Sequence, residues 1–201
     1  MTVGKSSGPR PRAVRVLHVV NGDLYSGAER VQDLLAARLG DEGFGVGFAT
    51  LKSGLFETKR QSKEAPLHAF EMRSRHDLGV ARSIAAVVRG NGYRLLHTHT
   101  PRSAMVGRLA ALLAGVPMVH HVHSPTARDT EHAWRNRVNA WSEGLSLLGV
   151  PALIPVSASL ASHLRLLGYS PSRIHMVANG VPVLPVLPVR VAPSGTWTFG
   201  T

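Results

Sequence analysis

Two short runs concentrate the titratable chemistry of this chain: His97-Thr98-His99 and His120-His121-Val122-His123. Side chains alternate along a strand, which places His97 and His99 on one face, and His121 and His123 on one face. Four imidazoles can then converge, a set able to ligate zinc or another transition metal. No carboxylate run and no H-E-x-x-H helix lies nearby, and the chain has no cysteine, so no metal centre is expected. The histidines read instead as the wall of a polar pocket, where a neutral imidazole donates to a hydroxyl or a phosphate.

A second stretch with chemical content is Asn21-Gly22-Asp23-Leu24-Tyr25-Ser26-Gly27-Ala28-Glu29-Arg30. It joins an apolar run to an amphipathic one, and a helix that starts at such a point offers free N–H groups and the positive end of its dipole to a phosphate. Gly22 and Gly27 would let a ligand approach the backbone. The run is neither G-x-G-x-x-G nor a P-loop. Ser26-x-x-Glu29 is also a capping box, which would start this helix with or without a ligand. Ser157, after Ile154-Pro155-Val156, reads as a helix N-cap and lacks the G-x-S-x-G elbow of a hydrolase. Asn179-Gly180 reads as a turn closing a last strand, again with or without a ligand.

The elements that must hold these residues alternate between short apolar runs and longer periodic ones, the pattern of a mainly parallel sheet with crossover helices. Strands are expected at Val14–Val20, Val46–Leu51, Pro66–Met72, Arg94–His99, Pro117–Val122, Ala152–Val156 and Ile174–Val177. Helices are expected at Gly27–Leu39, Asp77–Arg89, Thr100 to about Leu113, Thr130–Leu148 and Ser159–Leu167. Val31, Leu34, Leu35 and Leu39 recur at helical spacing before Gly40, and Thr100-Pro101 supplies an N-cap and a first-position proline. Lys52–Lys63 carries charge without periodicity and reads as a mobile loop. A basic segment, residues 1–13, precedes the domain at 14–180. Residues 181–195 are proline-rich and read as an extended linker. Residues 196–201 read as the first strand of a further domain.

With 201 residues, 44% hydrophobic and 17% charged, the chain can bury one sizeable core and is short for two. The formal charge of +11 favours anionic partners. Aromatics make up only 5% and are not interleaved with the basic residues, so the stacking platforms of a nucleic-acid binder are not visible and nucleic acid is not expected. Without cysteine there is no disulfide and no thiolate catalysis. The apolar run after the basic N-terminus is too short for a signal-peptide core, and no stretch reaches transmembrane length. A cytoplasmic location is expected, with peripheral contact at the inner membrane face left open.

Taken in order, Val-Leu-His-Val-Val, Ser-Gly-Ala-Glu-Arg-Val, Leu-Leu-His-Thr-His, Val-His-His-Val-His-Ser, Ile-Pro-Val-Ser and Met-Val-Ala-Asn-Gly-Val resemble glycosyltransferase family 4, retaining enzymes of the GT-B fold. The resemblance spans about Val14 to Val181. It implies a Rossmann-like, doubly wound domain on the acceptor side of a cleft, with a C-terminal domain holding most of a nucleotide-sugar donor. It implies that the Ser26-Gly27 loop approaches the donor diphosphate, that His123 lies near the transferred sugar, and that His99 and Ser157 line the cleft. Gly22 and Asn179 join this substrate-binding set. The family prefers Gly-Gly where Ser26-Gly27 stands, and often has Asp where Pro182 stands. On this reading the partners are a nucleotide sugar, a glycan, lipid or small-molecule acceptor, and the C-terminal domain; no cofactor is needed. The chain reads as cut off as that second domain begins, and inactive alone. Other readings are a non-catalytic sugar- or partner-binding module, another GT-B enzyme such as a sugar-nucleotide epimerase, or a metal-dependent hydrolase built on the histidines.

Overall fold

The computed structural model describes residues 13–74, 77–124, 144–181 and 195. The order of elements is β1 (Val14–Val20), α1 (Gly27–Leu39), β2 (Phe44–Thr50), α2 (Leu55–Lys59), β3 (Leu67–Ala69), α3 (Val80–Gly90), β4 (Tyr93–Thr98), α4 (Pro101–Ala114), β5 (Met118–Val122), β6 (Ala152–Pro155) and α5 (Ala158–Leu166), then a 3₁₀ turn at Pro171–Arg173. The expected basic N-terminal segment, most of the helix expected at Thr130–Leu148, the linker and the last strand lie outside the described residues.

The six strands form one sheet in the order β3-β2-β1-β4-β5-β6, and every pairing is parallel. This is the doubly wound, Rossmann-like arrangement, in which the chain moves outward from β1 in one direction and then returns to β4 on its other side. Leu17, Val19, Leu96, Met118 and Leu153 pack with Ile84 and Val88 of α3 and Ala104 and Ala110 of α4 into the larger apolar cluster. A smaller cluster holds Val20, Val46, Phe48 and Phe56. Alternation along each strand divides the two sets.

Local chemistry sets the ends of α4. Thr100 Oγ1 accepts from the Ser103 N–H at 3.1 Å, Pro101 opens the helix, and Gly115 closes it at φ 70°, a left-handed conformation that favours glycine.

Two expectations change. Lys52–Lys63 contains helix α2, and this segment is anchored. Phe56 is wholly buried, its ring 4.9 Å from Phe48 and 6.3 Å from Tyr25 between centroids. The Arg60 guanidinium donates to the carbonyls of Ser62, Ala65 and Lys63. Asp33 of α1 accepts from the backbone N–H groups of Gln61 and Ser62 at 2.7 and 2.9 Å. One buried aromatic and these polar ties leave no periodic signal, because the helix has only five residues. The seventh strand, Ile174–Val177, is reduced to a bridge between Leu153 and Ile174, with N–H bonds from His175 to Leu153 and from Val177 to Pro155. Met176 and Val177 are about half exposed, so no buried face holds a longer ladder in place.

Truncating Phe56 to Ala should cost about 3–4 kcal/mol of unfolding free energy in urea melts, the usual loss for a buried phenylalanine. A loss near zero would mean that the segment is a loose loop after all.

Candidate functional site

All six strands point their carboxyl ends toward one edge, and the first-turn N–H groups of the crossover helices open there. Between the ends of β1, β4 and β5 lies a pocket of about 290 Å³ lined by Asn21, Asp23, Ser26, Glu29, His99 and His123, among others. Ser26, His99 and His123, expected from the sequence to share an edge, thus line one pocket. Ser157 follows β6 at the same edge but is not part of this wall; its Oγ accepts from the Leu160 N–H at 3.2 Å, capping α5.

The rim is cross-linked by polar contacts. Thr100 Oγ1 donates to Asn21 Oδ1 at 3.1 Å, tying the end of β4 to the end of β1. Ser103 Oγ accepts from the N–H groups of both His99 and Thr100 at 2.9 Å. Ser26 Oγ donates to Glu29 at 2.7 Å, and the Ser26 N–H reaches the same carboxylate at 3.4 Å. The capping-box residues therefore engage one another. Asp23 pairs with Lys52 at 2.6 Å; burial would raise its pKa, but the ammonium outweighs this and holds the carboxyl below its ordinary value.

Below the rim, alternation gathers the imidazoles. His18 is in register with His97 on the neighbouring strand, and its ring stacks on His99 at 5.2 Å between centroids. His97 stacks on His121 at 5.5 Å, and His121 on His123 at 4.4 Å. Five rings thus form one group, with the unexpected member, His18, at its inner end. His120 turns to the opposite face, where its Nδ1 lies 2.8 Å from Thr98 Oγ1. His18 Nδ1 and His99 Nε2 are 3.1 Å apart, one donating to the other. Burial pushes His18 down to about 4, against a small opposing effect of the Gln32 amide. Burial, reinforced by neighbouring histidines, holds His97 and His99 well below the ordinary value. The same causes lower His121 to about 3 and His123 to about 4. At neutral pH these rings are uncharged hydrogen-bonding groups.

Three other expected residues have different surroundings. Gly22, at φ 94°, packs against the β2 end, and a methyl group there would meet the Lys52 carbonyl oxygen at 2.5 Å; its glycine is required by the fold. Gly27 opens α1 and has free space where a side chain would project. Asn179 lines a separate hollow of about 260 Å³ with Val31, Leu34 and His121. The sequence reading missed His18, Asn21 and the Tyr25–Asp33 pair. The Tyr25 hydroxyl donates to Asp33 at 2.6 Å, and burial with this bond pushes it up to about 12. Only alternation from His97 through a known strand pairing could have found His18.

A parallel sheet with a polar pocket at its carboxyl edge defines a Rossmann-like ligand-binding domain. The chain belongs to the family of glycosyl transferase 4-like domains, whose model matches residues 26–180. It is 27% identical over 174 residues to the UDP-Gal:alpha-D-GlcNAc-diphosphoundecaprenol alpha-1,3-galactosyltransferase of Escherichia coli, covering 84% of this chain and 45% of that protein. It is 30% identical over 108 residues to the alpha-maltose-1-phosphate synthase of Mycolicibacterium smegmatis, covering 49% of this chain and 27% of that one. The chain therefore spans less than half of the length of either relative. Anabaena HepE, solved in complex with UDP, shares the fold, with a TM-score of 0.68, 18% identity, and coverage of 84% of this chain and 44% of its own. Among the described residues, no helix is long and apolar enough to cross a membrane.

The buried rings make stability depend on pH. Their folded pKa values lie below the unfolded value of about 6.5, so between these values the unfolded chain binds more protons. The contribution is complete above about pH 6.5 and is lost as pH falls toward 4. In chelator-treated protein, unfolding free energy should fall between pH 7.5 and pH 5, by about 2 kcal/mol from His18 alone. Equal stability at the two pH values would show that the rings are not buried as neutral groups.

Proposed function

We propose that this chain is the acceptor-side domain of a retaining glycosyltransferase that takes a hexosyl group from a nucleotide sugar and passes it to a glycan, lipid or small-molecule acceptor. One observation carries the reading: in a family 4 domain, the pocket at the carboxyl edge is walled by neutral imidazoles and opens beside the N-terminus of α1. Neutral imidazoles hydrogen-bond sugar hydroxyls without the cost of burying a charge. The first-turn N–H groups of α1, beside the open space at Gly27, suit a diphosphate. On this reading His123 lies near the transferred sugar and His99 lines the cleft.

The pocket's two named carboxylates are engaged, Asp23 by Lys52 and Glu29 by Ser26. This favours catalysis by positioning and charge stabilisation over attack by either carboxylate. A second domain would close the cleft and supply the cationic groups that stabilise the leaving diphosphate. The names of the relatives support nucleotide-sugar chemistry without fixing the donor or acceptor.

Transfer from UDP-galactose and UDP-glucose to a panel of acceptors should be measured for this chain and for a version extended by a C-terminal donor-binding domain. The extended protein should turn over and the chain alone should fall at least about a thousandfold below it. In the extended protein, His123→Asn should lower kcat/KM about a hundredfold. Comparable turnover by the chain alone would refute the shared-cleft reading, and silence from both proteins would refute the transferase reading in favour of a binding module.

A further inference from the structure

His18 is 1% exposed and absent from the pocket wall, yet its Nδ1 lies 3.1 Å from Nε2 of His99, which does line the pocket. Helix α1, whose Gln32 amide acts on His18, turns a polar face inward: its buried residues are Glu29, Gln32 and Asp33. The buried stripe of an amphipathic helix is ordinarily apolar. Glu29 engages Ser26, and Asp33 engages Tyr25 and the segment after α2. Gln32 is wholly buried and neither amide atom forms a hydrogen bond of ordinary length, a condition that calls for an explanation.

We propose that His18 is a positioning residue that fixes the tautomer of His99, so that His99 turns a bare Nδ1 to the pocket and accepts a hydrogen bond from a sugar hydroxyl. With Nε2 engaged by His18, Nδ1 is the remaining nitrogen of the His99 ring, and it is buried without a hydrogen bond. A neutral imidazole has one N–H and one lone pair, so the nitrogen that donates fixes the other as acceptor. Gln32 sets the direction. Its amide favours the charged form of His18, the effect of a carbonyl oxygen that faces a ring N–H. His18 Nδ1 is turned to His99, so the nitrogen left for Gln32 is Nε2, which has no hydrogen bond elsewhere. With the proton on His18 Nε2, His18 Nδ1 carries a lone pair, His99 Nε2–H donates to it, and His99 Nδ1 is an acceptor. Burial keeps both rings neutral, and the His99 N–H donates to Ser103 Oγ at 2.9 Å, which steadies the backbone that carries the ring.

An acceptor at this position matches a hydroxyl or an N–H and mismatches a phosphate oxygen, whose lone pairs would meet another lone pair. The opposite tautomer would offer an N–H and suit phosphate. His99 is thereby assigned to the sugar, and the diphosphate is left to the first turn of α1. The tautomer stands by itself, whereas the hydroxyl as its partner rests on the transferase reading.

The test uses the chain with isotopically labelled histidine near neutral pH, where NMR of the ring nitrogens separates a protonated nitrogen from a bare one. The expected spectrum has His99 protonated at Nε2 and bare at Nδ1, and His18 protonated at Nε2. Saturating UDP-glucose should move the His99 Nδ1 signal toward a hydrogen-bonded position, and UDP alone should not. His18→Leu should mix the His99 tautomers and weaken UDP-glucose binding about tenfold, with UDP binding unchanged. His18→Asn, whose carbonyl oxygen can stand in for Nδ1, should restore both. If His18→Leu fails to fold, the spectrum of the unaltered chain decides. A proton on His99 Nδ1 would overturn the proposal whether or not the sugar binds, as would weakened binding in both variants with the tautomer unchanged. Shifts at Ser26 and Gly27 with His99 Nδ1 unmoved would overturn it and leave the transferase reading standing; no response to UDP-glucose anywhere would remove both.

Discussion

In a parallel sheet every strand ends on the same side, and every second residue of a strand meets its counterpart on the next. These two constraints act together on β1, β4 and β5. Register sets His18 beside His97, and alternation carries the series outward through His99 and His121 to His123. The result is a column of aromatic, polar rings running from the interior of the sheet to the floor of an edge pocket. The helix N-termini, the rim contacts and the depressed histidine pKa values all follow from this placement.

The two faces of the sheet divide the work. The face against α3 and α4 is filled by aliphatic side chains, which supply a rigid apolar backing. The other face gives up apolar volume to imidazoles that stay neutral because burial suppresses their charge. A protein can carry such polar groups where they serve a ligand, provided that packing elsewhere secures the fold. The contacts of Thr100 with Asn21 and of Ser103 with His99 and Thr100 keep the ends of two strands from separating at the point where the apolar layer stops. Asp33 performs a similar task on the other flank, joining α1 to the segment after α2.

Much of this arrangement was legible in the sequence. The alternation of apolar runs and periodic segments gave the sheet, and the His-x-His spacing gave the shared face of His97 with His99 and of His121 with His123. Thr100-Pro101 marked the start of α4. What escaped was information carried by strand order and register: His18 looked like an isolated polar residue within an apolar run, because its neighbours in space are about eighty positions away. Helix α2 escaped for another reason, since a single buried Phe56 gives no period. Gly22 shows the limit of local motif reading: its glycine is required by a positive φ and the nearby Lys52 carbonyl. Ser157 likewise takes its role as a cap from the chain next to it.

The central claim is that the histidine-walled carboxyl edge is where a nucleotide sugar meets this domain. NMR of the isotopically labelled chain, titrated with UDP-glucose and UDP-galactose, tests it most directly by recording which signals move. The account predicts shifts at the backbone of Asn21, Ser26, Gly27 and Thr100 and at the rings of His99 and His123, with Asn91, Gly92 and Gly115 at the opposite edge unmoved. Shifts centred on that opposite edge, or no shifts at millimolar nucleotide sugar, would contradict it.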